Sequence, residues 1–142
     1  MATLTAALNA SASALNAERT RIEVAVSNMA NAESTRGPDG HPYRRRDVIL
    51  TPTPDTSFDN ALSTTGVVGV QVQAVVEDTA PFRRRYDPSH PDADAEGFVE
   101  TPNVDSPTEM VDMLSATRAY QANLTAISMI REVVQKALEL GK

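Results

Sequence analysis

Apolar residues recur at every seventh position near both ends of this chain and at every second position in its middle. Met1, Leu8, Leu15, Ile22 and Met29 stand seven apart, and Leu4, Ala12 and Val26 fall three or four residues from members of that set. Such spacing draws a narrow apolar stripe along a helix, the seam of a coiled coil, and predicts a helix over residues 3–31. At 1.5 Å per residue that helix is roughly 44 Å long. So thin a stripe cannot hold a helix of that length by itself.

A second helix is predicted over residues 107–140. Ser106 is placed to act as N-cap, Pro107 suits the first helical position, and Glu109 completes an S-x-x-E capping box. Met110, Thr117, Leu124, Arg131 and Leu138 then define one seam line, and Met113, Tyr120, Ile127 and Val134 the other. Leu114, Ile130 and Val133 widen this face beyond a two-helix seam, so contact with more than one neighbour is expected. Gly141 is the expected stop. An internal antiparallel pair of helices explains the same heptads, but leaves part of the wider face wet.

Between these ends the period changes. Val68, Val70, Val72, Ala74 and Val76 alternate with Gly69, Gln71, Gln73 and Val75, which predicts a strand with one wetter face. Tyr43–Leu50 is a second expected strand, and residues 52–65 and 87–106, rich in turn formers, are expected loops. All nine prolines lie from Pro38 to Pro107, and five of the six glycines lie from Gly37 to Gly97, so both helical flanks lack helix breakers. The expected fold is α+β: long N- and C-terminal helices packing as a coiled-coil-like pair (1–35 and 107–142) around a small β-rich, loop-rich middle (36–106).

With six aromatic residues and no tryptophan, the chain has little large apolar surface to bury, so part of its burial is expected from outside the monomer. The net charge of −6 argues against attraction to nucleic acid or anionic lipid. It divides unevenly: −1 over 1–35, −5 over 36–106 and zero over 107–142, which leaves the helical ends nearly neutral, as packing surfaces are. There is no cysteine and hence neither disulfide nor thiolate metal site. No basic stretch followed by an apolar run opens the chain, so no cleaved secretory signal is expected, and no apolar run reaches the roughly 20 residues of a membrane span.

Candidate chemistry is thin. Arg44–Arg46 and Arg83–Arg85 could contact phosphate, but without interleaved aromatics on an acidic chain they read better as strand residues paired with acids of the same or a neighbouring subunit. Pro42–Asp47 and Pro81–Asp87 echo one another and suggest two similar edge strands. Asp92, Asp94, Glu96, Gly97 and Val99 start like an EF-hand calcium loop, yet the twelfth position is Asn103 and the flanks hold Pro88, Pro91 and Pro102. His41 and His90 each precede proline, and no nucleophile elbow, phosphate loop or H-E-x-x-H accompanies them. No catalytic, cofactor-binding or metal-ligating residue is assigned, and neither a cofactor nor a small-molecule substrate is expected.

Longer blocks carry a resemblance. Val26-Ser27-Asn28-Met29-Ala30-Asn31 with Thr35 resembles the N-x-A-N signature that closes the first helix of bacterial flagellar rod and hook proteins. Gly40–Val48, Tyr86-Asp87-Pro88-Ser89-His90-Pro91-Asp92-Ala93, Gly97–Val104, Glu109–Met113 and Ala116–Asn123 extend the similarity over almost the whole chain and point to the proximal rod proteins. Glu33-Ser34 departs from the small polar pair of the pattern, and residues 51–65 match nothing in it.

The resemblance implies a structural, non-enzymatic subunit of the basal body's periplasm-spanning rod. Export would go through the flagellar type III apparatus without signal cleavage, and assembly would be with itself and other rod proteins. It also implies that the terminal helices share an inner tube, with Leu8, Leu15, Ile22, Met29, Met110, Met113, Tyr120, Leu124, Ile127 and Val134 as packing residues. Another axial component is the alternative within that class, and a calcium-binding or adaptor module built on a helical hairpin is the alternative outside it.

Overall fold

A computed structural model describes residues 2–53 and 68–140. Helix α1 spans Ala2–Ala30, strands β1–β4 span Arg46–Pro52, Val70–Glu77, Arg83–Tyr86 and Phe98–Thr101, and helix α2 spans Ser106–Leu140. The two long helices pack together and the strands form two antiparallel pairs, β1 with β2 and β3 with β4, giving the α+β fold that the periodicities predict. Met1, Gly141 and residues 54–65 of the expected 52–65 loop lie outside the described residues.

Helix α1 runs 29 residues because nothing in it breaks a helix and alanine dominates. It stops where Asn31 folds back: Asn31 N and Nδ2 both donate to Ser27 O, at 3.1 and 2.9 Å, and Ser34 Oγ donates to Asn31 Oδ1 at 3.2 Å. The start of α2 differs from the expected capping box. Asp105 is the cap, its Oδ2 accepting from Thr108 N and Thr108 Oγ1 at 3.3 and 2.7 Å, so Ser106 is already helical. Glu109 is thereby free of any capping duty to Ser106 and points elsewhere.

The strand β2 follows its sequence pattern, with Val70, Val72 and Ala74 half-buried and Gln71 and Gln73 exposed. The expected loop 87–106 needs correction, because Phe98–Thr101 is a strand, in register with Arg83–Tyr86 through Arg83↔Thr101 and Tyr86↔Phe98. Only four residues long and set between Gly97 and Pro102, it carries too little periodicity to stand out. Gly97 makes the turn before it at φ 83°.

Contacts divide the chain into two units. The first comprises Met1–Thr20, Ile49–Ala74 and Ser115–Lys142, and the second Arg21–Val48 and Val75–Leu114. In the first unit, among the described residues, only Ala17 and Ala116 are fully buried apolar groups. There Ser13 Oγ donates to Ala10 O at 2.7 Å and accepts from Val70 N at 3.0 Å, and a Cβ on Gly69 would lie 2.9 Å from that oxygen. In the second unit Ala25, Val99 and Val104 are buried together with the polar Asn28, Thr101 and Glu109. The ionisable side chains of the first unit balance at zero, and the whole net charge of −6 belongs to the second, with eight arginines against fourteen carboxylates.

The seams match the expected lines in part: Met113, Tyr120, Ile127 and Val134 lie on the inward line of α2, and the others are rotated from it or flank it. On α1 the exposed positions are Thr5, Asn9, Ala12, Asn16, Arg19, Glu23, Val26 and Ala30, spaced alternately by four and three. The opposite line is Ala7, Ala10, Ala14 and Ala17, continued by Arg21, Val24 and Asn28. Leu8, Leu15, Ile22 and Met29 are half-buried, whereas Ala12 and Val26 face outward. On α2 an unbroken 3–4 line of buried or half-buried residues runs Met113, Ala116, Tyr120, Asn123, Ile127, Ile130, Val134. Met110, Leu124, Arg131 and Leu138 are exposed instead.

Candidate functional site: a buried polar clamp and open helix faces

Asn28 is fully buried, and its amide uses every hydrogen-bonding direction it has. Its Nδ2 donates to Glu109 Oε2 and to Arg46 O, each at 2.8 Å, and its Oδ1 accepts from Arg46 N at 2.9 Å and from Tyr43 Oη at 3.0 Å. Glu109, 2% exposed, accepts on its other oxygen from Arg45 Nε at 2.6 Å. Arg45 also lies 3.5 Å from Asp47 and 3.6 Å from Asp112, and its N donates to Asn103 Oδ1 at 2.9 Å. Burial pulls the Arg45 pKa down, but the hydrogen bond and charge of Glu109, aided by Asp47, outweigh it and hold the pKa above its ordinary value. One amide and one carboxylate thus tie the end of α1, the start of β1 and the start of α2. A cavity of about 40 Å³ beside them, lined partly by Arg21, Asp47 and Asp112, has room for a water.

A second tie joins sequence blocks 57 residues apart. Thr35 Oγ1 donates to Asp92 Oδ2 at 2.9 Å, and Arg36 Nη1 to Asp92 Oδ1 at 3.3 Å. The Thr35 hydrogen bond, more than the Arg36 charge, holds the Asp92 pKa below its usual range. His90 Nδ1 accepts from Asp92 N at 3.1 Å, a turn contact, while His41 is exposed. Asp87 accepts from Ser89 Oγ at 2.8 Å, and Tyr86 stands 66% exposed with its ring edge-on to Phe98 at 5.2 Å. Pro88 and Pro91 are exposed beside them.

The stretch that starts like a calcium loop is a closed turn. Asp94 Oδ1 accepts from Glu96 N and Phe98 N at 2.9 and 2.8 Å, and Oδ2 from Arg84 Nη2 at 3.0 Å. The second arginine triplet is paired with acids of the same chain, one of the two arrangements expected for it. Arg83 meets Asp105, Arg84 meets Asp94, and Arg85 meets Glu33. In the first triplet Arg45 belongs to the clamp, while Arg44 and Arg46 lie over the rings of Phe82 and Tyr43 at 4.4 and 5.5 Å.

Of the expected packing residues, Leu8, Leu15, Ile22, Met29, Met113, Tyr120, Ile127 and Val134 are half-buried, and Met110 and Leu124 are 52% and 44% exposed. In the second unit Met110, Val111 and Leu114 form an open apolar turn of α2. In the first, Ala122, Met129 and Val133 lie within roughly 40° of one another on the helix, and Leu124 is on the other flank of the inward seam. From the rod signature, Asn28 enters the clamp, Ser27 Oγ lies 3.4 Å from Tyr43 Oη, Asn31 closes the helix, Thr35 reaches Asp92, and Ala30 is exposed. Sequence reasoning missed Glu109, Tyr43 and the Arg46 backbone as partners of Asn28, and Arg45 and Asn103 behind them. The available signal was a carboxylate on the line of Met113 and Ala116, at helical spacing.

Two family models match the chain: one described as flagella basal body rod protein over residues 8–38, and one as flagellar basal body rod FlgEFG protein C-terminal over residues 95–140. Among curated proteins, the flagellar basal-body rod protein FlgC of Bacillus subtilis is 44% identical over 95% of this chain and 96% of its own length. FlgC of Salmonella typhimurium is 45% identical over 92% of each, and FlgC of Aquifex aeolicus 39% over 96% of each.

Proposed function

The chain belongs to the FlgC family of flagellar basal-body rod proteins and is a structural rod subunit, and from that premise we propose that it builds the proximal rod by folding its terminal helices against neighbouring subunits. In this reading the helices of 1–35 and 107–142 pack into a shared inner tube, and the middle, 36–106, faces outward. Neighbours are other copies and other rod proteins, reached after export by the type III apparatus without signal cleavage. Torque passes from motor to hook through many helix contacts, each weak and collectively stiff. The role is mechanical rather than catalytic.

The observation that carries the reading is an inverted apolar balance. Apart from Pro42 and Pro102, five apolar side chains are buried among the described residues, three of them alanine, against thirteen large exposed ones. Seven of the thirteen are on α2: Met110, Val111, Leu114, Leu124, Met129, Val133 and Leu138. Completing the burial of a half-exposed Leu, Met or Val is worth roughly 1 kcal/mol. Covering that helix alone therefore supplies roughly 5–10 kcal/mol, the scale of the freedom lost on association. In the isolated chain the first unit, with two buried alanines, has little to offset the entropy of ordering its helical stretches.

Amide exchange on the dilute monomer tests this. Residues 4–20 and 115–139 exchange at nearly unprotected rates while 98–104 are protected, and incorporation into rods protects both. Full protection of both helical ends in the dilute monomer would refute coupled folding and assembly.

A further inference from the structure

We propose that the Asn28–Glu109 contact is a register key, the feature that selects one axial alignment of α1 against α2. The fully buried positions of α1 among the described residues are Ala17, Ala25 and Asn28, and those of α2 are Glu109 and Ala116. Alanine knobs are too short to lock into the holes of a facing helix, so an alanine seam discriminates poorly between alignments. Here the degeneracy is built into the sequence. Ala7, Ala10, Ala14 and Ala17 stand on one line at 3–4 spacing, so a slide of one heptad sets Ala10 where Ala17 was and Ala7 where Ala14 was.

The same slide ruins the clamp. It removes Asn28 from the site between Arg46 and Glu109 and brings Arg21 there. Arginine could meet the carboxylate but has no acceptor for Arg46 N, which donates to Asn28 Oδ1 at 2.9 Å in the native alignment. A slide the other way would call on position 35, beyond the end of α1 at Ala30, and leaves the site with no helical residue to fill it. Only an amide at this position offers two donors and two acceptors to Glu109, Arg46 N, Arg46 O and Tyr43 Oη together. The clamp also sits where α1 ends and α2 begins, and so fixes the axial position of the helical stretches within the second unit.

Spin labels at the exposed positions Val26→Cys and Val111→Cys, in an otherwise cysteine-free chain, report the alignment by pulsed dipolar spectroscopy. The parent gives a single narrow distance. Two variants remove the key in different ways. Asn28→Ala leaves a space in which water can serve Glu109 and Arg46. Asn28→Leu with Glu109→Leu replaces the polar pair by apolar volume. Both are expected to keep the far-UV helical signal and to broaden or split the distance, with components displaced by about 5 or 10 Å, one turn or one heptad. The parent's single narrow distance in both variants would overturn the proposal. So would loss of helix and of cooperative unfolding in both, because the clamp would then hold the fold together rather than choose its alignment.

Discussion

Replacing Glu109 by glutamine tests the clamp with the smallest change of shape. Both groups aimed at this side chain are donors: Asn28 Nδ2 lies 2.8 Å from Oε2 and Arg45 Nε 2.6 Å from Oε1. A carboxylate accepts from both at once. Glutamine offers one acceptor and one NH₂, so in either orientation a donor confronts a donor. A hydrogen bond to a charged group is worth roughly 1.5–3 kcal/mol, and an orphaned buried donor adds roughly 1–3 kcal/mol. Arg45 is one-fifth exposed and keeps Asp47 and Asp112 within 3.5 and 3.6 Å, which holds the loss near the low end. The expected destabilisation of Glu109→Gln is therefore about 2–3 kcal/mol. The second unit contains 28 residues in Arg21–Val48 and 40 in Val75–Leu114. At about 4–8 °C per kcal/mol for a domain of that size, its Tm falls by roughly 8–24 °C. Thermal and urea unfolding of the full chain by circular dichroism measure it. A variant within about 0.5 kcal/mol of the parent would refute the donor–donor argument.

Gly97→Ala and Gly40→Ala form a pair. Both positions have positive φ, 83° and 81°, but a Cβ at 97 lies 3.0 Å from Tyr86 Cε2 and 3.2 Å from Pro88 Cβ while one at 40 meets nothing. Urea unfolding should show about 1 kcal/mol for Gly40→Ala and about 1–2 kcal/mol more for Gly97→Ala; equal losses would mean the contact is idle. Hydrogen bonds hold the pKa of Asp87, Asp92, Asp94 and Asp105 below the ordinary value, those from Ser89, Thr35, Phe98 N and Thr108 leading in turn. Because their folded pKa values are depressed, their stabilisation is complete above the unfolded value near 3.9 and is lost as pH falls through the folded values. The urea midpoint should stay flat from pH 7 to about 5 and drop below about 4, and Asp92→Asn with Asp105→Asn should shrink that drop. Leu15→Asp and Leu124→Asp should abolish rod incorporation and swimming at normal expression; Leu124→Asp, at a side chain 44% exposed, should also leave monomer unfolding within about 0.5 kcal/mol of the parent. Normal motility of both variants would refute a role for these helix faces in assembly.

Element types were readable because long helices and the β2 alternation repeat a period many times. Seam phase was not. On α1 the large residues Leu8, Leu15 and Ile22 look like the centre of the buried face, yet close approach favours alanine there, and the leucines flank it. On α2 the line through Met110 and Leu124 is as apolar as the line through Ala116 and Asn123, and only a packed partner decides between them. The four-residue β4 offers too few positions for a period, and its pairing with β3 is a long-range fact. The clamp stayed hidden for a related reason. Asn28 reads as helix-end polarity and Glu109 as a capping residue until the fold brings them to 2.8 Å across 81 residues of sequence.

The uneven division of charge makes ionic strength a contact-resolving probe. Attraction through the first unit, which is electrically balanced and leads with apolar side chains, should be nearly indifferent to salt. Any encounter between second units sets like charges of −6 against each other, a repulsion that persists over about 10 Å at 0.1 M salt and collapses to about 3 Å at 1 M. Added salt should therefore accelerate only those association steps that crowd the second units together. The slope of rate against ionic strength then tells which part of the subunit is touching at each stage of growth.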